Sequence, residues 1–578
     1  MLDLIIRNGT IVDGTGKDCY AGDIGIVGKK IKVIGLLADA VARKEIDAVG
    51  KYVTPGFIEP HSHADLGVLM TPSMESYLMQ GVTTVVGGNC GHAMAPMNDE
   101  IYRSAIVDFP VIFKAEPKYF ELATLMVSRE KAKKAIKELY DIDLDWHTFD
   151  EYIAKCNENG MDCNIAPLAG YSAIRSAVMG MDSMRSATDN EANKLEQSVR
   201  DCMLAGAYGL STGLDPQYLP GLFATDEETV RMLRVVREYN GIFTSHTFNQ
   251  RMDGTGSRMD GYRVMIEQAK AADIRANVSH VHVFGMSSGD DGGLAAAKET
   301  LLYFEEAVAS GLDLSYDIIP SPYSVDYTVP YFAFFLRPFL LMSGSREKLA
   351  ENFSVPDFRL MVHKVIEGGM YPILDETQPM NYLGLLTMLR HSEAGFVGST
   401  LTKIASLRKQ SALDVMMDLF TMDPDMEANI SMSNFGEAID LLSRQPMAMV
   451  CADGLCCTKD TNFTANSEMP LLPNAMTLSF IPRYILSYGE PRFEDTIRRI
   501  SGFVAERFGI AKRGTIKEGN FADIVVLDRK KLYSYDRDEQ FLQYPDGFDH
   551  VIVNGTPVIE KKVHLKTSPG KMLRKSHV

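Results

Sequence analysis

The sequence predicts an α/β protein whose central domain is a TIM-like (β/α)8 barrel. The main observation is a series of eight short apolar runs, each ending in Gly, Pro or a polar residue, with amphipathic helix-like segments between several of them. Strands that alternate with helices are parallel, and eight such units can close a barrel. The runs span residues 52–60, 81–88, 163–170, 206–214, 241–246, 275–280, 313–319 and 447–453.

Both ends of the chain show a second pattern, in which apolar and polar residues alternate around Asn-Gly, Asp-Gly and Gly-Lys turns. LIIRNGTIVDG and DIGIVGKKIKVIG lie near the start, and GTIKEGNFADIVVLD and HVIVNGTPVIE lie near the end. This similarity predicts that residues 1–50 and 515–578 build one small β-domain, and that residues 51–514 form the barrel.

One connection of the barrel is too long to be a simple loop between a strand and a helix. We therefore expect an inserted subdomain at about 320–446, over the barrel mouth. Its aromatic run PYFAFFLRPF, residues 330–339, is expected to form part of a lid that excludes water.

Composition limits the classes of function. The chain has 578 residues, of which 46% are hydrophobic and 23% charged, as in a globular protein with a large core. A net charge of −17 argues against a nucleic-acid binder, which needs surplus basic residues to neutralise phosphates. The most apolar stretch, residues 329–342, contains Arg337 and is too short to cross a bilayer. We expect a small-molecule partner, no nucleic acid and no membrane, and leave the oligomeric state open.

The compartment is predicted from the N-terminus and the cysteines. The first residues, MLDLIIRNGT, show no signal peptide. Eight cysteines scattered over the chain do not resemble a disulfide framework. Both observations favour a cytoplasmic protein.

Side chains of metal-binding types follow the ends of five of the eight runs. In an α/β barrel these ends line one mouth, where active sites lie. Alternation along a strand puts His61 and His63 on the same side, as two ligands of one cation require. Imidazole, thiolate and carboxylate groups suit zinc. The sequence therefore predicts a zinc centre with these ligands: His61, His63, Cys90, His246, His280 and Asp453.

Each of these residues alone is more typical of a structural role, and only their joint placement favours a metal centre. Glycine-rich segments such as GGNCG and GLSTGL lack the spacing of a nucleotide-binding loop. The remaining histidines do not follow the ends of the runs and are predicted to have ordinary roles: His92, His147, His363, His391, His550, His564 and His577.

Two segments, PGFIEPHSH and GVTTVVGGNCGHAMAP, resemble the opening of the amidohydrolase superfamily. GNCG together with AGAYGLSTGL resembles its N-acyl-D-amino-acid deacylase (D-aminoacylase) branch. The similarity continues through VSHVHVFG and AMVCADG to RFGIAKRGTIKEGNFADIVVLD. It covers nearly the whole chain except residues 100–145 and 320–445.

This resemblance implies a role for each predicted ligand. Cys90 matches the metal-bridging cysteine of the branch, and His246 and His280 match the ligands that complete a tight zinc site. His61, His63 and Asp453 match a second, weaker or vacant site. The implied reaction is hydrolysis of a C–N (amide) bond other than a peptide bond. Zinc activates water in this reaction, and Asp453 serves as general acid/base.

Three positions depart from the pattern of the branch. His282 stands where the branch has Lys, Ile319-Pro320-Ser321 replaces Tyr-Pro-Tyr, and Asn474 stands where the branch has Arg. The resemblance therefore assigns the substrate pocket to His282, Ser321, Tyr323 and Asn474, with altered specificity.

Two other functions are compatible with the sequence. The altered pocket also suits a cyclic amidase, similar to hydantoinase or dihydropyrimidinase. A non-catalytic relative that serves as a scaffold is the second alternative, although such relatives usually lose metal ligands.

Overall fold

A computed structural model provides the structure of the chain. It describes residues 1–99, 101–103, 126–214, 218, 220–247, 257–281, 293–321, 325–329, 336–368, 374–376, 382–432, 436–461, 475–535 and 542–576. Three residues assigned to the substrate pocket, His282, Tyr323 and Asn474, lie outside the described residues, and so do residues 330–335 of the expected lid.

The described strands, in chain order, are β1 (Leu2–Ile11), β2 (Tyr20–Val27), β3 (Lys30–Gly35), β4 (Ala42–Asp47), β5 (Tyr52–Pro55), β6 (Phe57–Glu59), β7 (Val82–Gly87), β8 (Ile101–Arg103), β9 (Met126–Ser128), β10 (Asn164–Pro167), β11 (Ala169–Gly170), β12 (Gly209–Gly213), β13 (Ile242–His246), β14 (Ala276–Val278), β15 (Leu314–Ile318), β16 (Val325–Val329), β17 (Leu386–Arg390), β18 (Glu427–Met432), β19 (Ala448–Val450), β20 (Ile524–Leu527), β21 (Phe548–Val553), β22 (Thr556–Glu560) and β23 (Val563–His564).

The described helices, in the same order, are α1 (Ala64–Gly67), α2 (Glu75–Leu78), α3 (Arg129–Tyr140), α4 (Phe149–Asn159), α5 (Tyr171–Met179), α6 (Asp189–Ala205), α7 (Asp226–Glu238), α8 (Arg258–Ala272), α9 (Leu294–Ala309), α10 (Arg337–Ser343), α11 (Arg346–Phe353), α12 (Pro356–Glu367), α13 (Leu401–Arg408), α14 (Ala412–Met422), α15 (Gly436–Ser443), α16 (Ala475–Tyr488), α17 (Phe493–Arg499) and α18 (Gly502–Phe508). In the described part of the chain, no helix has the length and apolar character that crossing a membrane requires.

Parallel strands form the barrel. β6, β7 and β10 make one group, and β11, β12, β13, β14, β15 and β19 make the other. Only Leu168 separates β10 from β11, so the two act as one bent strand. A parallel bridge between Ser62 and Gly454 joins the first barrel strand to the last. Each of the eight apolar runs contains a strand of this barrel, as predicted.

The helices around the barrel begin and end at residues that the sequence marks. Thr188 and Glu191 form a reciprocal capping box at the start of α6, and Gly206 ends that helix with a φ of 108°. Apolar residues of α6, including Leu195 and Val199, are buried toward the barrel core.

Strands from both ends of the chain share one sheet beside the barrel. Its order is β23-β22-β21-β20-β5-β1-β2-β3, with β4 paired to β1. β5 and β20 pair antiparallel, from Tyr52 opposite Leu527 to Pro55 opposite Ile524. The inner face of this sheet has its own apolar cluster, which includes Ile24 and Val53. The boundaries 1–50 and 515–578 stay a prediction.

Between β15 and β19 the described chain forms a three-stranded antiparallel sheet, in the order β16-β18-β17, together with helices α10 to α15. These elements occupy the stretch for which the sequence predicts an inserted subdomain. Within it, α11 and α13 both pack against α14.

The last described residues bind back to the barrel. The backbone N–H of Ile165 donates to Lys571 O at 2.9 Å, and Leu573 N–H donates to Ile165 O at 2.7 Å. Nearby, His564 Nε2 lies 2.7 Å from Asp162 Oδ2, and its Nδ1 lies 3.4 Å from Glu75 Oε1. These contacts tie the C-terminal segment to the third barrel strand.

The His564 contacts predict a pH-dependent stability. Burial alone would lower the pKa of His564, but the bonds to Asp162 and Glu75 outweigh it and raise the pKa to about 9. The contribution is therefore complete below about 6.5, the pKa of an unfolded histidine, and is lost as pH rises through about 9. After a discount for partial exposure, we expect His564→Gln to lower the free energy of unfolding by about 1–2 kcal/mol at pH 6.

Chemical denaturation at pH 6 and pH 9.5 measures this difference. The gap between wild type and His564→Gln should shrink markedly at the higher pH. His147→Gln is the matched control, because the contact of His147 with Asp99 is largely exposed and should contribute little. An equal gap for His564→Gln at both pH values would contradict the prediction.

Candidate metal centre

The predicted ligand residues all lie at the carboxyl ends of barrel strands. His61 and His63 follow β6, and Cys90 follows β7. His246 is the last residue of β13, and the other two follow β14 and β19. The structure brings these side chains together in a buried cluster: His61, His63, Cys90, His246, His280 and Asp453.

The Cys90 thiol lies at the centre of one group. Its Sγ is 3.3 Å from His61 Nε2 and 3.5 Å from His280 Nε2. His246 reaches the same group, because its Nδ1 lies 2.8 Å from His280 Nε2. The ligand atoms of His61, Cys90 and His280 lie within 4.8 Å of one another, which is close enough to share one ion.

The Asp453 carboxylate defines a second group that shares His61 with the first. Asp453 Oδ1 lies 3.3 Å from His61 Nε2 and 3.2 Å from His63 Nε2. These atoms also lie within 4.8 Å of one another. The two groups are thus adjacent, and His61 stands between the thiol and the carboxylate.

Three of the predicted ligands have an unusual backbone conformation. Cys90, His280 and Asp453 have φ values of 55°, 32° and 53°, in the left-handed region that side chains rarely adopt. Such strain persists where the surrounding structure enforces it, and it concentrates at functional sites. At these three positions the left-handed conformation turns the chain just after a barrel strand.

Two of the glycine-rich motifs meet beside Cys90. The backbone N–H of Gly91 donates to Ser211 Oγ at 2.9 Å, and the Ser211 hydroxyl donates to Gly88 O. Gly91 has a φ of 76°, and an added Cβ would lie only 3.1 Å from Gly213 N. GNCG and GLSTGL therefore pack against each other and fix the loop that carries the thiol.

The electrostatic environment favours the deprotonated forms of Cys90 and Asp453, which are the forms that bind metal. Burial would raise the pKa of the Cys90 thiol, but the charge of His61 and hydrogen bonds from His246 and His280 outweigh it and lower the pKa well below its usual value. Burial would likewise raise the pKa of Asp453, but the charges of His61 and His280 hold that pKa well below its usual value.

The same two anionic groups shift the pKa of His63. Burial would lower its pKa, but hydrogen bonds to Asp453 and Cys90 outweigh it and raise the pKa to about 9. A thiolate, a carboxylate and four imidazoles within one buried cluster are the ligand types that zinc accepts. The residues present therefore fit a zinc ion.

Two buried carboxyl groups that sequence reasoning missed support the cluster. Glu59 accepts hydrogen bonds from the backbone N–H of Ala452 at 3.1 Å and of His61 at 3.3 Å, so it joins the first barrel strand to the last. Asp65 accepts from Gly88 N–H at 2.7 Å, and burial raises its pKa to about 6. The sequence signal for the role of Glu59 was its position inside an apolar run, two residues before His61.

His92 also lies at the site, although the sequence predicts an ordinary role for it. Its buried ring lies 5.7 Å from the ring of His63 and 5.0 Å from that of Tyr218, whose own ring is 4.3 Å from that of His246. The sequence signal for the location of His92 at the site was its position two residues after Cys90. Of the other histidines with predicted ordinary roles, His577 lies outside the described residues, and the described ones contact other parts of the chain: His147, His363, His391, His550 and His564.

Ser321 is the residue of the predicted substrate pocket that the structure describes. It is fully buried just after β15, and its backbone N–H donates to Ile319 O at 2.8 Å. Its contact with a substrate stays a prediction.

Known proteins are similar to this chain over its full length. A model of the amidohydrolase family matches residues 44–287. D-aminoacylase from Alcaligenes xylosoxydans xylosoxydans is 26% identical over 99% of this chain and 98% of the relative. A solved D-aminoacylase has a TM-score of 0.71 at 23% identity and covers all of both chains. N-acyl-D-glutamate deacylase from Bordetella bronchiseptica, solved with zinc and a phosphonate inhibitor, has a TM-score of 0.70 at 23% identity over 99% of both chains.

The solved relatives confirm the predicted fold. Each of them aligns with this chain over 99% or more of both chains.

Proposed function

Because this chain belongs to the amidohydrolase superfamily, in its D-aminoacylase family, we propose that it removes the acyl group from a small linear N-acyl amino compound. It is a metal-dependent amidohydrolase, and the bond cleaved is a C–N bond other than a peptide bond. The observation that carries the proposal is the buried cluster in which Asp453 Oδ1 lies within 3.3 Å of both His61 Nε2 and His63 Nε2, beside the Cys90 thiol.

The proposed metal is Zn²⁺. Cys90, His246 and His280 would hold one tightly bound ion, and His61, His63 and Asp453 would hold a second, weaker one. The mixture of thiolate, imidazole and carboxylate ligands supports this choice. When bound, zinc would lower the pKa of a water molecule and polarise an amide carbonyl.

Asp453 is the proposed general acid/base. Its pKa lies well below its usual value, so the side chain is a carboxylate, which is the form that can accept a proton of the attacking water. It then returns this proton to the leaving nitrogen. The buried rings of His92 and Tyr218 stand beside the cluster and limit the water around the reacting groups.

All cysteines of the chain are free, which supports the proposed cytoplasmic location.

The proposed substrate differs from a standard N-acyl-D-amino acid at its carboxylate. Compared with the family pattern, His282 and Asn474 replace a Lys and an Arg, so two positive charges are missing. A charged hydrogen bond to a carboxylate contributes roughly 1.5–3 kcal/mol, which corresponds to about 10–150-fold in kcat/KM. In this protein the carboxylate would lose hydration without gaining that partner, a cost that a neutral group avoids.

A panel of amides tests the function. We expect the zinc-loaded protein to hydrolyse linear N-acyl compounds faster than hydantoins, dihydropyrimidines or lactams. We also expect it to prefer the neutral carboxamide of N-acetyl-D-methionine to N-acetyl-D-methionine itself by about tenfold or more. Mass spectrometry identifies which bond is cleaved, and the L-enantiomers and dipeptides complete the panel.

The two parts of this prediction can fail separately. Faster opening of a cyclic amide would favour the cyclic amidase instead. Efficient cleavage of N-acetyl-D-methionine would show that another cation replaces the missing charges. Hydrolysis of none of these compounds would contradict the proposed function.

A further inference from the structure

We propose that Asp317 is a positioning residue of the metal centre, which holds His61 so that its Nε2 faces the metal. The inference rests on the proposed zinc centre and adds to it a carboxylate that binds no metal itself. Asp317 is the fourth residue of β15, and its side chain is fully buried beneath the cluster. Sequence reasoning gave it no role.

Asp317 receives polar contacts from three other barrel strands or their ends. Its Oδ1 lies 3.3 Å from His61 Nδ1, accepts the backbone N–H of His280 at 2.6 Å and accepts the Cys451 thiol at 3.4 Å. Its Oδ2 accepts from Asn277 Nδ2 at 2.5 Å. These contacts connect the strands that carry His61, His280 and Asp453.

A carboxylate in this position is costly unless its environment compensates for lost hydration. Within the described residues, Asp317 forms no ion pair with Lys or Arg, and its ion-pair partner is the His61 imidazole. The carboxylate is therefore directed at a ligand of the proposed metal centre rather than at a structural cation.

The geometry at His61 indicates what the carboxylate does. A histidine binds metal through one deprotonated ring nitrogen, and the other nitrogen usually donates its proton to a carboxylate or carbonyl. His61 Nε2 lies 3.3 Å from both Cys90 Sγ and Asp453 Oδ1, whereas Nδ1 lies 3.3 Å from Asp317. A hydrogen bond across this 3.3 Å gap selects the tautomer with its proton on Nδ1 and would leave Nε2 free for the metal.

The same oxygen also holds the loop of a second ligand. His280 has a φ of 32°, and its backbone N–H is fixed by Asp317 Oδ1. Because His280 contacts both Cys90 and His246, one carboxylate influences ligands on two strands. Loss of its negative charge should therefore weaken metal binding without removing any ligand.

Asp317→Asn is the informative variant. The amide keeps the shape of the side chain, but it is neutral, and its NH₂ group can donate to His61 Nδ1 and favour the wrong tautomer. We expect the zinc affinity of the weaker site, of which His61 is a proposed ligand, to fall about 10–100-fold in chelator competition. We also expect the absorption bands of the Co²⁺-substituted protein to change. Cys451→Ala is the matched control, because it removes another contact of Asp317 without touching His61, and zinc affinity should change less than about threefold.

Histidine labelled with ¹⁵N gives a second readout that needs no Asp317 variant. In zinc-loaded wild type we expect the His61 ring, identified by comparison with His61→Gln, to carry its proton on Nδ1. Zinc bound at Nδ1, or unchanged zinc affinity in folded Asp317→Asn, would overturn the proposal. If the zinc-loaded wild type hydrolyses no amide, the proposed function fails, but both readouts still decide the role of Asp317. A wild type that binds no zinc overturns both proposals.

Discussion

Replacing Asp453 with Asn is expected to reduce turnover by about 10²–10⁴ while the protein keeps its fold and its tight zinc. Asn is nearly the same size and tolerates the left-handed backbone, with a φ of 53°, that Asp453 adopts. It cannot accept a proton from water or return one to a leaving nitrogen. The loss should therefore appear in kcat rather than in stability.

A purely structural role for Asp453 gives the opposite result. Asn is also a good cap, so a residue that merely caps the following segment would leave the variant active. The matched control is Asp273→Asn, the same substitution at an exposed residue that also has a φ of 53°. Near-normal turnover by zinc-replete Asp453→Asn would remove Asp453 from the mechanism.

The Cys90→Ala variant is expected to lose the tight zinc, with affinity lowered by at least about 100-fold. Its thiol contacts ring nitrogens of both His61 and His280, and its lowered pKa favours the thiolate. Ala has a β-carbon as Cys does, so the backbone strain at a φ of 55° is the same in both proteins. The substitution therefore removes the sulfur and little else.

Elemental analysis after dialysis measures the loss. Cys156→Ala is the control, because Cys156 is also fully buried but burial raises its pKa to about 12, so it remains a thiol in the apolar core. This variant should keep its zinc. Full zinc occupancy in Cys90→Ala would reduce Cys90 to a packing residue.

The barrel and the clustering of the six predicted ligands at its mouth could be predicted because both depend on local patterns. A buried parallel strand is a short apolar run, and a polar side chain at its end interrupts that run, as His246 does after IFTS. The six predicted ligands on five separate segments then converge because parallel strands end at one mouth.

The supporting carboxylates could not be predicted in the same way. Glu59 and Asp317 lie inside apolar runs, where a single acidic residue reveals neither its burial nor its partners. Their contacts come from strands far away in sequence, such as Ala452 for Glu59. The left-handed backbone at Cys90 is also a tertiary effect, because cysteine does not favour it. The antiparallel sheet of the insertion depends in the same way on distant pairing partners.

The pairing of β5 with β20 has a consequence for synthesis of the protein on the ribosome. Pro55 of β5 can pair only after Ile524 of β20, its partner across the two strands, has been synthesised. At translation rates of about 5–20 residues per second, that interval lasts on the order of half a minute to a minute and a half. During this time the N-terminal sheet has an open edge of the kind that chaperones cover. During synthesis, the N-terminal sheet is therefore expected to be the last part of the chain to complete its folding.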